Sequence, residues 1–206
     1  MNLLLLSINP GAIPGFLDQC TGHLNRPLRL GYISDAAEGM PFAAVERAGI
    51  EAFGYEKVEI RARDTDVEAF AEVLNSLDAV YVASGETFAL LEGLRSNGTG
   101  DVLTERVRAG LPYIGCSAGS IIAGPSITPA ELMDDRDSAP GLRSDDGLNL
   151  IDHVVIPHAD GKLPPYPADL IERIVSTYGD SFPLLMLHDD QALCVTADGS
   201  EVIASH

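Results

Sequence analysis

The sequence predicts a three-layer α/β/α fold with a mostly parallel central sheet. Short, nearly continuous apolar runs of strand length recur along the chain, and segments with helical spacing of apolar residues lie between them. Strands buried on both faces lose the alternation of polar and apolar residues, and the helices that connect parallel strands cover those faces. Because the 206 residues contain no linker-like stretch, we expect a single domain over residues 1–206.

The first half of the chain alternates predicted strands and helices. The opening run from Leu3 to Ser7 is apolar but short and lacks a basic leader, so we expect a buried strand and not a signal peptide. In the first predicted helix Phe42, Val45 and Ile50 share a face, and Gly54 follows as a C-terminal cap. The predicted strands are residues 3–7, 28–34, 57–60, 79–83 and 111–116, and the predicted helices are residues 41–53, 67–77, 87–95 and 101–109.

The second half of the chain is less regular. Residues 125–148 are rich in Pro, Asp and Gly, and so long an irregular stretch inside a domain is more often functional than idle. A strand is predicted over 151–157 and a helix over 167–177. Residues 184–204 are typical of strands joined by turns, with Asp198-Gly199 as a hairpin signal.

The composition excludes some classes of function. The chain has 31 acidic and 13 basic residues, and a net charge of −18 repels phosphate backbones, so nucleic acid is not an expected partner. No apolar run approaches the roughly 18 residues that span a bilayer, so no membrane partner is expected. The cysteines Cys20, Cys116 and Cys194 are odd in number and widely spaced, which favours a reducing compartment and hence the cytoplasm.

A serine nucleophile is predicted at Ser117. The run Gly115-Cys116-Ser117-Ala118-Gly119 follows an apolar strand and opens a helix of small residues, which is the context of a nucleophile elbow. The glycines leave room for a tight turn, and the helix N-terminus offers free N–H groups to a developing oxyanion. If the run has no catalytic role, it is a turn of small residues that connects a strand to a helix. Cys116 is a rival nucleophile, but it precedes the centre of the elbow and is expected to be a buried apolar residue.

A second turn is predicted at the same edge of the sheet. Residues 84–88, Ser-Gly-Glu-Thr-Phe, follow the strand 79–83 and precede a helix. In a parallel sheet ligands lie beyond the carboxyl ends of the strands, and a glycine there can bring its N–H close to a substrate oxygen. We therefore expect the backbone N–H groups of Gly85 and Ala118 to form an oxyanion hole.

The serine needs a base, and His158 is the expected one. It directly follows the apolar run 154–157 and so lies at a strand end. His188 also follows an apolar run and is the competing candidate. The other histidines are less favoured: His23 is in an early loop, His153 is at the opposite end of the strand, and His206 is terminal.

An orienting acid is also needed, and spacing alone does not choose it. The candidates are aspartates that follow the run 184–187 or lie in the irregular segment: Asp189, Asp190, Asp134, Asp135 and Asp137. A metal site built from His153, His158 and Asp160 is not expected, because no helical HExxH spacing supports it. No cofactor is expected either.

Several of these motifs together resemble the dipeptidase E (aspartyl dipeptidase) family of serine peptidases, with cyanophycinases as more distant relatives. The resemblance rests on motifs that occur in the family's order over nearly the whole chain: Leu3 to Ser7, the turn 84–88, Tyr113 to Gly119, Pro125-Ser126-Ile127 and Ile156-Pro157-His158. It implies a fold like that of the class I glutamine amidotransferases, with a serine in place of their cysteine. It also implies the third triad member, because Asp189 falls on the family's C-terminal glutamate.

Departures from the family pattern bear on specificity. Ser84 and Glu86 replace the first Gly and the Asn of the family's Gly-Gly-Asn-Thr-Phe turn. Aspartyl-specific members carry an arginine where this chain has Thr128, and Arg136 and Arg143 lie nearby but are not equivalent. A hydroxyl offers the substrate carboxylate one neutral hydrogen bond in place of a charge-assisted pair. We therefore expect Asp-X dipeptides to be cleaved weakly or not at all.

The predicted function is that of a serine-type peptidase acting on small peptide or amide substrates, with a triad of Ser117, His158 and Asp189. A homodimer is left open. The alternative is a relative of the same fold that is not a peptidase, either a small-molecule binding or regulatory protein or another acyl hydrolase. A reactive serine at position 117 would distinguish the enzyme from the binding protein.

Overall fold

Nine strands are present in the computed structural model, which describes residues 1–22 and 24–206. They are β1 (Leu3–Leu6), β2 (Arg29–Ile33), β3 (Glu56–Ile60), β4 (Ala79–Val82), β5 (Tyr113–Cys116), β6 (Val154–Ile156), β7 (Leu184–Met186), β8 (Gln191–Thr196) and β9 (Gly199–Ala204).

Seven of these strands form the central sheet, in the order β3-β2-β4-β5-β1-β8-β9. The first five in this order pair in parallel, β8 runs antiparallel to β1, and β9 closes an antiparallel hairpin with β8. The predicted mostly parallel α/β sheet is thus confirmed, and so is the C-terminal hairpin.

Seven helices accompany the strands in the described part of the chain. They are α1 (Ile13–Thr21), α2 (Ala43–Glu51), α3 (Val67–Asn75), α4 (Thr87–Ser96), α5 (Thr99–Arg108), α6 (Ala118–Ile121) and α7 (Ala168–Tyr178). Helix α1 was not among the predicted helices, although its buried residues Ile13, Phe16 and Leu17 have helical spacing and Pro14 suits a helix start. None of the described helices is both long enough and apolar enough to cross a membrane.

Two apolar clusters on opposite faces of the sheet give the fold its three layers. Leu3 and Leu5 pack into the cluster that contains α3, α4, α5 and α6, whereas Leu4 and Leu6 pack into the cluster that contains α1 and α2. All four leucines are 0% exposed. Since successive side chains of a strand point to opposite faces, a strand that is apolar at every position must be covered on both sides.

The strand predicted over residues 151–157 is shorter in the structure and lies outside the central sheet. Of these residues only β6 is a strand, and it pairs in parallel with β7 in a separate two-stranded sheet. Val154 and Ile156 are buried and pack against Ile171 and Ile174 of α7. Residues 125–148 are irregular, as predicted, apart from short 3-10 turns at Thr128–Leu132 and Arg136–Ser138.

The carboxyl ends of the parallel strands bring distant segments to one edge of the sheet. β5 lies between β4 and β1, so the residues that follow these three strands are neighbours. Gly85 follows β4, Ser117 follows β5 and Ser7 follows β1. The expected position of Ser117 at the carboxyl edge is therefore present.

Candidate active site

Ser117 sits at a sharp turn between β5 and α6. Its backbone has φ 46° and ψ −105°, a conformation that non-glycine residues rarely adopt and that persists only when neighbours hold it. The Ser117 N–H donates to the carbonyl oxygen of Leu6 at 3.1 Å, and its own carbonyl accepts from the N–H groups of Ser120 and Ile121. The elbow is thus fixed to β1 on one side and to α6 on the other.

The two glycines of the elbow are required by close backbone approach. A Cβ on Gly115 would lie 2.4 Å from the carbonyl oxygen of Gly119, and a Cβ on Gly119 would lie 2.2 Å from the carbonyl oxygen of Val82. Both distances are far below van der Waals contact, and both opposing atoms are backbone atoms. The steric reason for the glycine spacing that the sequence suggested is therefore present in the structure.

The structure brings Ser117, His158 and Asp189 together. Ser117 Oγ lies 3.1 Å from His158 Nε2, and His158 Nδ1 lies 2.6 Å from Asp189 Oδ1. An ionised carboxylate only accepts hydrogen bonds, so Nδ1 carries the proton and Nε2 is left to accept from the serine hydroxyl. The His158 side chain is 2% exposed, which shields this pair of bonds from water.

The competing histidines lie elsewhere. His153, His188 and His206 are exposed at the surface, and His23 lies outside the described residues. No group of three or more His, Cys, Asp or Glu side chains suited to a metal ion is found in residues 1–22 and 24–206.

The competing acids have other contacts. Asp135 and Asp190 are exposed, and the Asp135 side chain accepts from the N–H of Asp137 in a local turn. Asp134 does approach the site, but it lies on the wall of the cavity and not behind His158. Of the aspartates left open by the sequence, Asp189 alone has its carboxylate hydrogen-bonded to the ring of His158 among the described contacts.

Cys116 is a poor rival for Ser117. It is 1% exposed, and its Sγ lies 3.8 Å from Ser84 Oγ. Burial, reinforced by the nearby charge of Glu46, raises the pKa of the Cys116 thiol to about 12. Because the thiolate is the reactive form, this cysteine stays unreactive at neutral pH.

The backbone N–H groups of Gly85 and Ala118 belong to the turns that follow the neighbouring strands β4 and β5. Gly85 has φ +139°, and a Cβ there would lie 1.9 Å from the carbonyl oxygen of Ala36, so the turn requires a glycine. Ala118 follows the serine and opens α6. Within the described residues, neither the Gly85 N–H nor the Ala118 N–H donates to a protein acceptor.

A cavity of about 530 Å³ opens onto the serine and the histidine. One wall is apolar and one wall is acidic. Tyr166 closes the histidine side, since its ring stacks on that of His158 with centroids 4.8 Å apart and planes inclined by 8°. The apolar wall is formed by one side chain just after β1 and by others in and just before α2: Ile8, Met40, Phe42, Val45 and Ile50.

Three acidic residues line the cavity, Glu46, Glu86 and Asp134, and the name acidic wall is used here for Glu86 and Asp134. Asp134 Oδ2 accepts from the N–H of Thr87 at 3.0 Å, and Glu86 Oε2 accepts from the N–H of Asp135 at 3.2 Å. Burial raises the pKa of the Asp134 carboxyl. Burial and then the charge of Asp134 raise the pKa of Glu86. Both shifts have the sign expected when carboxylates share a desolvated site without a cation.

The cations near this region do not face the cavity. Arg136 pairs with Asp145 and lies over the ring of Phe88, and Arg143 lines a different cavity. The expectation that Thr128 offers its hydroxyl to a substrate is corrected, because Thr128 Oγ1 donates to Asp145 at 3.2 Å and does not line the cavity. No Arg or Lys of the described residues lines the cavity.

Sequence reasoning missed two residues of the site. Ser7 accepts from the backbone N–H of His158 and donates to Asp189. Its position after β1, at the edge that also carries Ser117, was a usable signal. Tyr166 lies in a loop without periodicity, and nothing in the sequence pattern indicated that its ring stacks on His158.

A parallel α/β sheet with a serine at a strand–helix elbow, a histidine against it and an aspartate behind it is an arrangement typical of serine hydrolases. The chain belongs to peptidase family S51, whose family model matches residues 11–203. It is accordingly a peptidase, and the resemblance to the dipeptidase E family is confirmed.

Individual relatives agree with this membership. The chain is 33% identical over 147 residues to the uncharacterized peptidase PM1590 of Pasteurella multocida (strain Pm70), a match that covers 69% of each chain. It is 30% identical over 162 residues to the uncharacterized peptidase Lin0382 of Listeria innocua, covering 79% of this chain and 76% of the relative. A crystal structure of a Listeria monocytogenes EGD-e protein provisionally assigned to peptidase E superposes with a TM-score of 0.86 at 26% identity and covers 98% of both chains.

Proposed function

We propose that this peptidase hydrolyses small peptides through a triad in which Ser117 is the nucleophile, His158 the general base and acid, and Asp189 the orienting acid. The observation that carries the proposal is the pair of linked hydrogen bonds, 3.1 Å from Ser117 Oγ to His158 Nε2 and 2.6 Å from His158 Nδ1 to Asp189 Oδ1. Both distances lie within the reach that proton transfer needs.

In the proposed acylation step, Ser117 Oγ attacks the scissile carbonyl carbon while His158 Nε2 takes the hydroxyl proton. The charge of Asp189 stabilises the imidazolium that forms. His158 then gives the proton to the leaving amine, the C–N bond breaks, and an acyl-serine remains. Water, deprotonated by His158, attacks this ester, and Ser117 regains its proton as the acid product leaves.

The proposed oxyanion hole consists of the N–H groups of Gly85 and Ala118. Each extends from the turn after a strand, next to the nucleophile, and each lacks a protein acceptor in the described part of the chain. Donors fixed by the backbone need no reorganisation when charge develops on the carbonyl oxygen, and removal of one such donor costs about 10²–10³ in kcat.

The cavity supports short substrates that are neutral or cationic near its acidic wall. A volume of about 530 Å³ suits a small peptide. A carboxylate that entered beside Glu86 and Asp134 would lose water without gaining a cation, which disfavours Asp-X dipeptides. The apolar wall at Met40, Phe42 and Val45 suits an apolar substrate group.

A fluorophosphonate probe and a dipeptide panel test the proposal together. We expect the wild type to be labelled at Ser117 and to cleave Ala-X or Lys-X dipeptides faster than Asp-X dipeptides. Ser117→Ala should lose labelling and lower kcat by about 10⁴-fold or more. Cys116→Ala is the matched control and should keep both the labelling at Ser117 and the dipeptide cleavage of the wild type. Labelling at Cys116, or hydrolysis that survives in Ser117→Ala, would overturn the proposal.

A further inference from the structure

Ser7 occupies the junction of the segments that carry the candidate triad. It directly follows β1, which pairs with β5 on one side and with β8 on the other. Ser117 follows β5, and Asp189 lies two positions before the first residue of β8. Ser7 is 0% exposed. A buried hydroxyl at this position needs hydrogen-bond partners from the surrounding segments.

The Ser7 hydroxyl uses both its accepting and its donating capacity within the site. Its Oγ accepts from the backbone N–H of His158 at 2.8 Å and donates to Asp189 Oδ1 at 3.2 Å. Asp189 Oδ1 is the same oxygen that accepts from His158 Nδ1. One hydroxyl therefore ties the backbone of the histidine to the carboxylate that orients its ring.

The backbone next to Ser7 reaches the other segments of the site. The carbonyl oxygen of Leu6 accepts the N–H of Ser117 at 3.1 Å, and the N–H of Ser7 donates to the carbonyl oxygen of Gln191 at 3.2 Å. Asn9 Nδ2 donates to the carbonyl oxygen of Asp189 at 3.0 Å. The end of β1 thus contacts the segments that carry all three residues.

His158 depends on such contacts because its backbone conformation is unusual. Its φ is +59°, in the left-handed region that non-glycine residues rarely occupy. Residues in that region persist only where surrounding bonds hold them. Without the Ser7 hydroxyl, the buried N–H of His158 loses its partner and the left-handed turn loses one of its constraints.

We propose that Ser7 is a positioning residue: its hydroxyl holds the backbone of His158 and the carboxylate of Asp189 in one arrangement, so that His158 Nε2 faces Ser117. This rests on the triad proposed above. Ser7 does not touch the reacting atoms in this scheme, and it acts only through the other two residues.

Removal of the hydroxyl has two expected effects. The histidine is less well aligned with the serine, and a misplacement of about 1 Å costs roughly 100-fold in rate. Asp189 also loses one of the two donors to Oδ1, so its negative charge interacts more strongly with a protonated His158 ring. The pH midpoint below which Ser117 stops reacting should then move upward.

The experiment measures the rate at which a fluorophosphonate probe labels Ser117, as a function of pH, in four proteins: wild type, Ser7→Ala, Ser7→Thr and Thr99→Val. Thr99 is the control because it is 0% exposed and, among the described residues, its hydroxyl bonds to Leu94 and Asn97 and to no residue of the candidate site. We expect Ser7→Ala to be about 10- to 100-fold slower with its acid limb shifted to higher pH. Ser7→Thr should recover most of the rate, and Thr99→Val should match the wild type in rate and pH profile.

Wild-type rates in Ser7→Ala, equal losses in Ser7→Ala and Thr99→Val, or a slower rate with an unmoved acid limb would overturn the role of Ser7. NMR of the proton on His158 Nδ1 reports the same arrangement without turnover, and that signal should change in Ser7→Ala but not in Thr99→Val. If the wild type resists the probe, the proposed function fails, while the NMR comparison still decides the role of Ser7.

Discussion

Replacement of Glu86 by Gln should improve the cleavage of Asp-X dipeptides relative to Ala-X dipeptides. Glu86 lines the cavity beside the candidate nucleophile, and no Arg or Lys of the described residues faces it there. Its ionised carboxylate repels a substrate carboxylate in the same cavity. Glutamine has nearly the same shape and keeps an oxygen that can accept from the N–H of Asp135, so the variant removes charge with little other change.

The size of the effect follows from Coulomb's law. Two charges about 6 Å apart at an effective dielectric constant of about 40, a value between protein surface and water, interact by roughly 1.4 kcal/mol. If the repulsion acts on the transition state, its loss raises kcat/KM for Asp-X about tenfold. Ala-X carries no side-chain charge, so its kcat/KM should change far less.

The assay compares kcat/KM for Asp-Leu and Ala-Leu in wild type, Glu86→Gln and Glu105→Gln, with product amino acids separated by chromatography. Glu105 is the matched control because it is an exposed glutamate on α5. The ratio of Asp-Leu to Ala-Leu should rise only in Glu86→Gln. An unchanged ratio in Glu86→Gln, or an equal rise in Glu105→Gln, would refute the argument from the acidic wall.

Two further predictions concern stability. The melting temperature of Gly119→Ala should be several degrees below that of the wild type, because the new Cβ would lie 2.2 Å from the Val82 carbonyl oxygen. Gly15→Ala in α1 is the control: its Cβ would meet nothing within 4 Å, so its melting temperature should be unchanged or higher. Equal melting temperatures for the two variants would contradict the steric reason for the elbow glycine. Burial raises the pKa of Asp134 and of Glu86. At a pH above the raised pKa, each carboxyl is ionised in the folded protein and lowers the stability of the fold. This destabilisation disappears as the pH falls below the ordinary pKa values, 3.8 for Asp and 4.5 for Glu. Thermal melts should therefore show a higher melting temperature for Glu86→Gln than for the wild type at pH 7 but not at pH 4. An increase in melting temperature that is the same at both pH values would contradict the raised pKa of Glu86.

Local sequence pattern was sufficient for the fold class, and it predicted two residues of the candidate site. Apolar runs such as Leu3 to Leu6 report burial on both faces, and burial on both faces already requires a covered, mostly parallel sheet. The elbow around Ser117 is local too, because the glycines, the strand before it and the helix after it are contiguous in sequence. His158 was predicted from its place at a strand end, although that strand belongs to the small β6–β7 sheet and not to the central one.

Which distant segments meet was decided by the tertiary structure. Spacing left five aspartates open, and only the resemblance to a family favoured Asp189, because periodicity reports burial and not contact. The bond between Ser7 and Asp189 joins residues 182 positions apart, and it exists because β1 lies between β5 and β8. Likewise Thr128 Oγ1 donates to Asp145, whereas Glu86 and Asp134 line the cavity. These side-chain directions follow from how the loops pack, which the local sequence pattern does not report.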